Sequence, residues 1–158
     1  MFSHLDRIDR QILIELQKDG RLTNKELAAR IHLAPSSCHA RVRRLEELGA
    51  ITGYHAAVDP TALGIGLRTL VLVRMTDHAE KRTDEVQAFL ESLPEVVDIY
   101  HVAGQDDLVL HVAVRDTEHL RQLNLDTIAR RSEIADLHTL LIFDHRRSEG
   151  YPDVTRAE

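Results

Sequence analysis

The chain has 158 residues, 43% of them hydrophobic, a formal net charge of −6 and a single cysteine. That is apolar content for one packed core or two small ones, without the bias of a disordered polymer, and one cysteine excludes an intramolecular disulfide framework. No apolar run reaches the length of a membrane span, and the opening MFSHLDRIDR lacks a signal peptide's apolar core, so a reducing, cytoplasmic location is expected.

The charge is unevenly spread. Residues 1–50 hold nine Lys/Arg and seven Asp/Glu, a net +2, while residues 51–158 sum to −8. A mildly basic front and an acidic rear suit a chain that meets phosphate with its front half only.

Three helices are predicted in that front half, over roughly 6–18, 24–31 and 35–48. Asp6 is placed to cap the first, in which Ile8, Ile12 and Leu16 share a face, and Asp19-Gly20 ends it. Thr23 with Glu26 three residues later reads as a capping box for the second, whose Leu27, Ala28 and Ile31 recur at helical spacing. After a short turn, Pro35 suits a first helical position and Gly49 closes the third helix.

The third helix sorts its residues by face. At about 100° per residue, Cys38, Val42, Leu45 and Leu48 fall on one side. Ser36, Ser37, Ala40, Arg43 and Arg44 fall on the other, with His39 and Arg41 at the borders. Three arginines and no acidic residue lie between Ala34 and Leu45. Small hydroxyls at a helix start, followed by arginines a turn or two later, suit a helix in a DNA major groove: serine approaches phosphate closely, and arginine binds phosphate or reads guanine bidentately. The bland alternative is an ordinary solvated face.

Residues 50–59 read as an extended strand or wing with a break at Gly53, stopped by Asp59-Pro60, and Gly64 and Gly66 mark a loose connection. Strands are then predicted over Leu67–Met75, Val96–Val102, Leu108–Val114 and Leu137–Phe143. A helix over Glu80–Leu93 carries Val86, Phe89, Leu90 and Leu93 at helical spacing. A second, capped by Thr117, carries Leu120, Leu123, Leu125 and Ile128. Gly104-Gln105-Asp106-Asp107 is a compact turn joining the middle strands into a hairpin. The order β-α-β-β-α-β is the split ferredoxin-like arrangement, so the whole is α+β. Apolar residues face both ways in the first and last strands, which predicts a partner subunit on the open face of the sheet.

Catalytic and metal signatures are missing. There is no P-loop, no G-x-G-x-x-G and no G-x-S-x-G. The ten histidines include His101 and His111 on the hairpin strands, but their alternation fits surface positions, and neither a metal site nor a cofactor is expected. Cys38, on the apolar stripe, reads as a packed thiol.

Taken together, the motifs resemble those of the Lrp/AsnC (feast/famine) transcriptional regulators over nearly the whole length. In the front half the likeness lies in Leu5-Asp6-x-x-Asp9-x-x-Ile12-Leu13-x-x-Leu16, in Arg21-x-x-Asn24-x-Glu26-Leu27-Ala28, in Pro35-Ser36-x-Cys38, and in Arg41-Val42-x-Arg44-Leu45-Glu46-x-x-Gly49-x-Ile51-x-Gly53-Tyr54. In the rear half it lies in Val102-x-Gly104-x-x-Asp107-x-x-Leu110. The resemblance implies a winged helix-turn-helix with a linking strand over 1–60, a ferredoxin-like effector and oligomerisation domain over 61–150, and a tail over 151–158. It implies double-stranded DNA, an amino acid or related metabolite, and further copies of the chain (a dimer, and a tetramer or octamer) as partners.

For the DNA face the residues expected are Ser36, Ser37, His39, Arg41, Arg43 and Arg44. For the effector site, which the resemblance places at the Gly-x-x-Asp hairpin between subunits, they are Tyr100, Val102, Gly104, Gln105, Asp106, Asp107 and Leu108, with Thr139 supplied by a neighbouring subunit. Hairpin amides would receive a carboxylate, and Asp106 or Asp107 an α-ammonium. The chain departs from the family at Ala34, where serine often caps the recognition helix, at Gln105, often acidic, and at Leu108, often aromatic. A rival reading exists, because sirohaem decarboxylases share the two-part architecture, as does an effector-domain partner that no longer touches DNA. The Ser36–Arg44 face favours the regulator.

Overall fold

The computed structural model describes residues 4–76, 82–146, 148 and 150–155. The chain divides into two compact units, Met1–Ala57 with Arg146–Glu158, and Val58–His145.

The first unit is built on α1 (Arg7–Lys18), α2 (Asn24–Arg30) and α3 (Pro35–Glu47). Each of the first two starts on a closed capping box. Asp9 N–H donates to Asp6 Oδ1 at 2.8 Å while Asp6 N–H donates to Asp9 Oδ2 at 3.0 Å, and Thr23 and Glu26 repeat the device. The turn into α3 passes through His32, which takes a left-handed φ of 56°. Gly49, at φ 71°, ends α3 in a Schellman arrangement in which Ala50 N–H reaches back to Leu45 C=O at 2.9 Å. The core joins Leu5, Ile12, Leu27, Ala28, Ile31, Cys38 and Leu45. Cys38 is wholly buried, and that burial pushes its thiol pKa up, as expected of a packed residue.

The expected strand over 50–59 does not form: beyond Ile51 the segment has no regular structure and no ladder partner. A strand needs a hydrogen-bonded neighbour, and the unit offers none here. Tyr54 instead donates its hydroxyl to Glu46 Oε1 at 3.0 Å.

The second unit opens with a 3₁₀ turn, Pro60–Leu63, capped by Asp59. The sheet strands are β1 (Leu67–Met75), β2 (Val96–His101), β3 (Leu108–Val114) and β4 (Ile134–Leu141). They are antiparallel in the order β2-β3-β1-β4, as in a ferredoxin-like fold. Helix α4 (Thr83–Glu91) and helix α5 (Thr117–Arg121), which continues as a π-helical stretch over Gln122–Ile128, cross between strands. The expected start of the first crossover at Glu80 lies outside the described residues. Thr117 is not the cap of the second; Asp116 is, accepting from His119 N–H at 2.8 Å.

Val71, Val73, Leu108, Leu110, Val112 and Val114 from the sheet pack with Val86, Leu90, Leu120, Leu123 and Ile128 from the helices. Leu125, expected on that apolar stripe, is 57% exposed. The other sheet face carries Leu70, Leu72, Val109, Tyr100 and Leu140, since Leu72 lies opposite Val109 and His138 and Leu70 opposite His111 and Leu140. Tyr100 and Leu140 remain 52% and 53% exposed.

Candidate functional sites: the recognition helix and the hairpin

Helix α3 begins with Ala34 in extended conformation and no side-chain cap. The N–H groups of its first turn therefore have neither an intrahelical nor a side-chain acceptor. Its start is pinned from α2 instead: Asn24 Nδ2 donates to Pro35 C=O at 2.8 Å. Ser36, Ser37, His39 and Arg43 stand exposed along the helix, with His39 at the rim of a shallow apolar cleft that includes Leu27, Val42 and Tyr54. Arg43 pairs with Glu47 at 2.9 Å on an open face, an i,i+4 contact that yields readily to a stronger anion.

Arg41 and Arg44 are differently placed. Both turn back to α1: Arg41, expected at the border of the face, is half-buried, and Arg44, expected on it, stays exposed while its guanidinium pairs inward. Arg41 Nη1 lies 2.7 Å from Asp6 Oδ2 and 2.8 Å from Asp9 Oδ1, and Arg44 Nη2 binds Asp9 Oδ2. Asp9 is fully buried, so its charge is tolerable only because the two guanidinium groups and the Asp6 N–H surround it. Helix periodicity put Arg44 with Arg43, but a side chain this long follows the nearest buried carboxylate. The Asp6 carboxyl is held below the usual range by the Asp9 N–H, then by Arg41.

At the hairpin, Val102 N–H closes on Asp107 C=O at 3.0 Å. Gly104 has a φ of 150°, a conformation side chains avoid, although a Cβ there would meet no atom within 4 Å. The backbone, not crowding, calls for glycine. Gly104 and Gln105 are exposed at the tip, and Asp106 is half-buried beside them. Asp107 ties the turn to β1: its N–H donates to Val73 C=O at 2.9 Å, and its Oδ2 accepts from Met75 N–H at 2.6 Å, beside the bulge between Arg74 and Met75.

Leu108 is a correction. It is wholly buried, opposite Val73, and faces the helix-side core rather than any ligand approach. One step of strand alternation separates the two outcomes. Tyr100 lies on the open sheet face, Val102 is half-buried at the end of β2, and Thr139 is exposed on β4. With β3 and β1 standing between β2 and β4, one chain does not bring Thr139 to the hairpin.

Two residues escaped the sequence reading. Asn24, within the motif, gives no sign that it reaches Pro35. Asn124 donates from Nδ2 to Thr139 Oγ1 at 3.0 Å, and its only signal is a lone amide on an otherwise apolar helix stripe. His111 pairs with Asp98 at 3.2 Å, and among the described residues no group of three or more His, Cys, Asp or Glu side chains is arranged to hold a metal ion. No described helix is long and apolar enough to cross a membrane.

Residues 5–52 match the family described as winged helix-turn-helix DNA-binding, and residues 68–151 match the Lrp/AsnC ligand binding domain. The HTH-type transcriptional regulator AldR of Mycolicibacterium smegmatis is 43% identical over 143 residues, covering 90% of this chain and 84% of that protein. The leucine-responsive regulatory protein of Escherichia coli K12 is 37% identical over 140 residues, covering 89% and 85%. A Neisseria meningitidis transcriptional regulator, solved as a complex with L-Met, superposes with a TM-score of 0.84 at 29% identity, covering 91% of this chain and 93% of that one.

Proposed function

This chain belongs to the Lrp/AsnC family of transcriptional regulators, and on that footing we propose how its two units divide the work of a DNA-binding regulator that responds to a small molecule. The first unit lays α3 in the major groove. Ser36 and Ser37 with their backbone N–H groups meet phosphate at the uncapped helix start, while His39 and Arg43 reach base edges or the far strand. Arg41 and Arg44 act from behind, bracing α3 on α1 through Asp9. The observation that carries this reading is the exposed α3 face, free of acidic residues until Glu46 and held rigidly from its buried side.

The second unit binds an amino acid or close relative. Support comes from the exposed Gly104–Gln105 tip, from the ligand-binding family match, and from a relative solved with L-Met. The tip would take the carboxylate or the ammonium, and Thr139 of a neighbouring copy would complete the site. The open sheet face, apolar at Leu70, Leu72, Val109 and Leu140, suits a second copy, giving a cytoplasmic homodimer that assembles further. Two recognition helices would then fall one helical turn, or a multiple, apart. The relatives are named regulators, which points away from an enzyme.

The test is retention of genomic fragments across a salt series, repeated with pooled amino acids. Affinity should fall steeply with salt, and Arg43→Ala should weaken it by about 1–3 kcal/mol. Affinity for all fragments that is unchanged in Arg43→Ala at moderate salt would sink the assignment of this face.

A further inference from the structure

Thr139 is exposed on the edge strand β4, yet its hydroxyl oxygen is already engaged by Asn124 Nδ2 at 3.0 Å. Asn124 is 9% exposed and sits in the π-helical stretch, where its own C=O accepts from Ala129 N–H at 2.8 Å. Such turns recur at functional sites. Its Oδ1 is buried without a partner, and so is the hydroxyl of Thr69, one pleat along the same helix-facing side of the β1–β4 pair. Unpaired buried polar atoms are costly, and a leucine at 124 would fill the space without that cost. The amide therefore has a use other than packing.

The chemistry of the pair says what that use is. A hydroxyl has one proton and two lone pairs. With a lone pair of Thr139 taken by the Asn124 N–H, its proton is left to point away from the helix. We propose that Asn124 is a positioning residue for the effector: it holds Thr139 as a hydrogen-bond donor aimed at the carboxylate of a bound amino acid. Exposed Leu125 and Leu141 beside the pair offer apolar surface to an aliphatic side chain. This rests on the reading of the second unit as an amino-acid sensor.

The experiment titrates the full-length protein calorimetrically with L-methionine, L-leucine and their carboxamides, with melting temperatures recorded alongside. Wild type should prefer the acids, because a charge-assisted hydrogen bond is stronger than a neutral one. Asn124→Leu and Thr139→Val should each lower acid affinity about tenfold while leaving the amides nearly unchanged, and Thr139→Ser should restore the preference. Asn124→Asp would take the Thr139 proton for itself, turn lone pairs outward and shift the preference towards amides, an outcome no packing role produces. If Asn124→Leu does not fold, Thr139→Val at its exposed position decides. Wild-type acid preference in Thr139→Val, or in a folded Asn124→Leu, overturns this inference alone. Wild type that binds none of the four probes yet retains DNA overturns the amino-acid reading and this inference with it.

Discussion

The helix-turn-helix unit and the hairpin each carry an aspartate of the family pattern, and the two are used differently. Asp9 is buried and gathers positive charge: it pairs with Arg41 and Arg44 and so ties α3 to α1. Asp107 is half-buried and meets no cation in its bonds; it accepts a backbone N–H of β1 and shapes the turn. In the first unit the scaffold thus engages two of the three arginines of α3, and on the proposed reading affinity for DNA rests on the exposed groups that remain. In the second the scaffold consumes a carboxylate but leaves the tip amides of the hairpin available. A motif residue near a site is in both cases a fold residue first.

The widest separation between the two aspartates should appear on deleting them. Asp9→Ala leaves two guanidinium groups facing an empty buried site, although both are partly solvated, so the first unit should lose about 2–4 kcal/mol. Urea unfolding followed by amide exchange would place the loss in α1 and α3. A change under about 0.5 kcal/mol, the range of ordinary surface substitutions, would mean the bridges are ornamental.

Among the arginines the comparison sharpens further. Arg43→Ala should weaken DNA binding by about 1–3 kcal/mol with an unchanged melting temperature. Arg44→Ala should lower both, because it removes one of the two guanidinium groups that pair with buried Asp9 and brace α3. Equal melting temperatures for the two variants would return Arg44 to the reading face.

Asp107→Ala should cost the second unit about 1–2 kcal/mol, the expense of leaving Met75 N–H without its acceptor. Faster amide exchange at Met75 checks it, and DNA retention without effector should stay as it was. Acid should act on both units, since Asp59, Glu118 and Glu133 of the second are held low by their own N–H, hydroxyl and arginine partners. Asp6, Glu15 and Glu26 are held below the ordinary 3.8 of aspartate and 4.5 of glutamate by N–H, Lys18/Arg30 and Thr23 partners respectively. A carboxyl whose folded pKa is depressed gives stability that is complete above its unfolded value and lost as pH falls through its folded value. Both units should therefore weaken below about pH 4.5, modestly and less so at high salt because most of these groups are open to solvent.

How much of this was legible in the sequence follows the range of each interaction. Caps, strands and the order of elements are local and periodic. Asp6, Thr23-Glu26, Leu67–Met75 and Leu108–Val114 were readable because each is decided within a few residues. The bridges from Arg41 and Arg44 to Asp9 span more than thirty positions, and periodicity gives a side chain's direction but not its partner. Leu108 failed for a simpler reason, since a residue next to a turn belongs to whichever sheet face the strand's alternation dictates. The strand over 50–59 failed because pairing needs a neighbour, which a single chain does not name.

The smallest effect tests the uncapped helix start. Ala34 already has the extended conformation of an N-cap, φ −67° and ψ 140°, so Ala34→Ser needs no backbone change to accept from the first-turn N–H groups. It should stabilise the first unit by about 1 kcal/mol. If phosphate is the acceptor those N–H groups use on DNA, the new hydroxyl competes with it, and stability should rise while affinity stays level or falls. A rise in both would mean that the first turn is merely frayed in the free protein and that capping pre-organises it, which removes phosphate docking at Ser36 and Ser37 from the account of this face. Stability by urea and affinity at a fixed salt concentration, measured on the same preparation, separate the two.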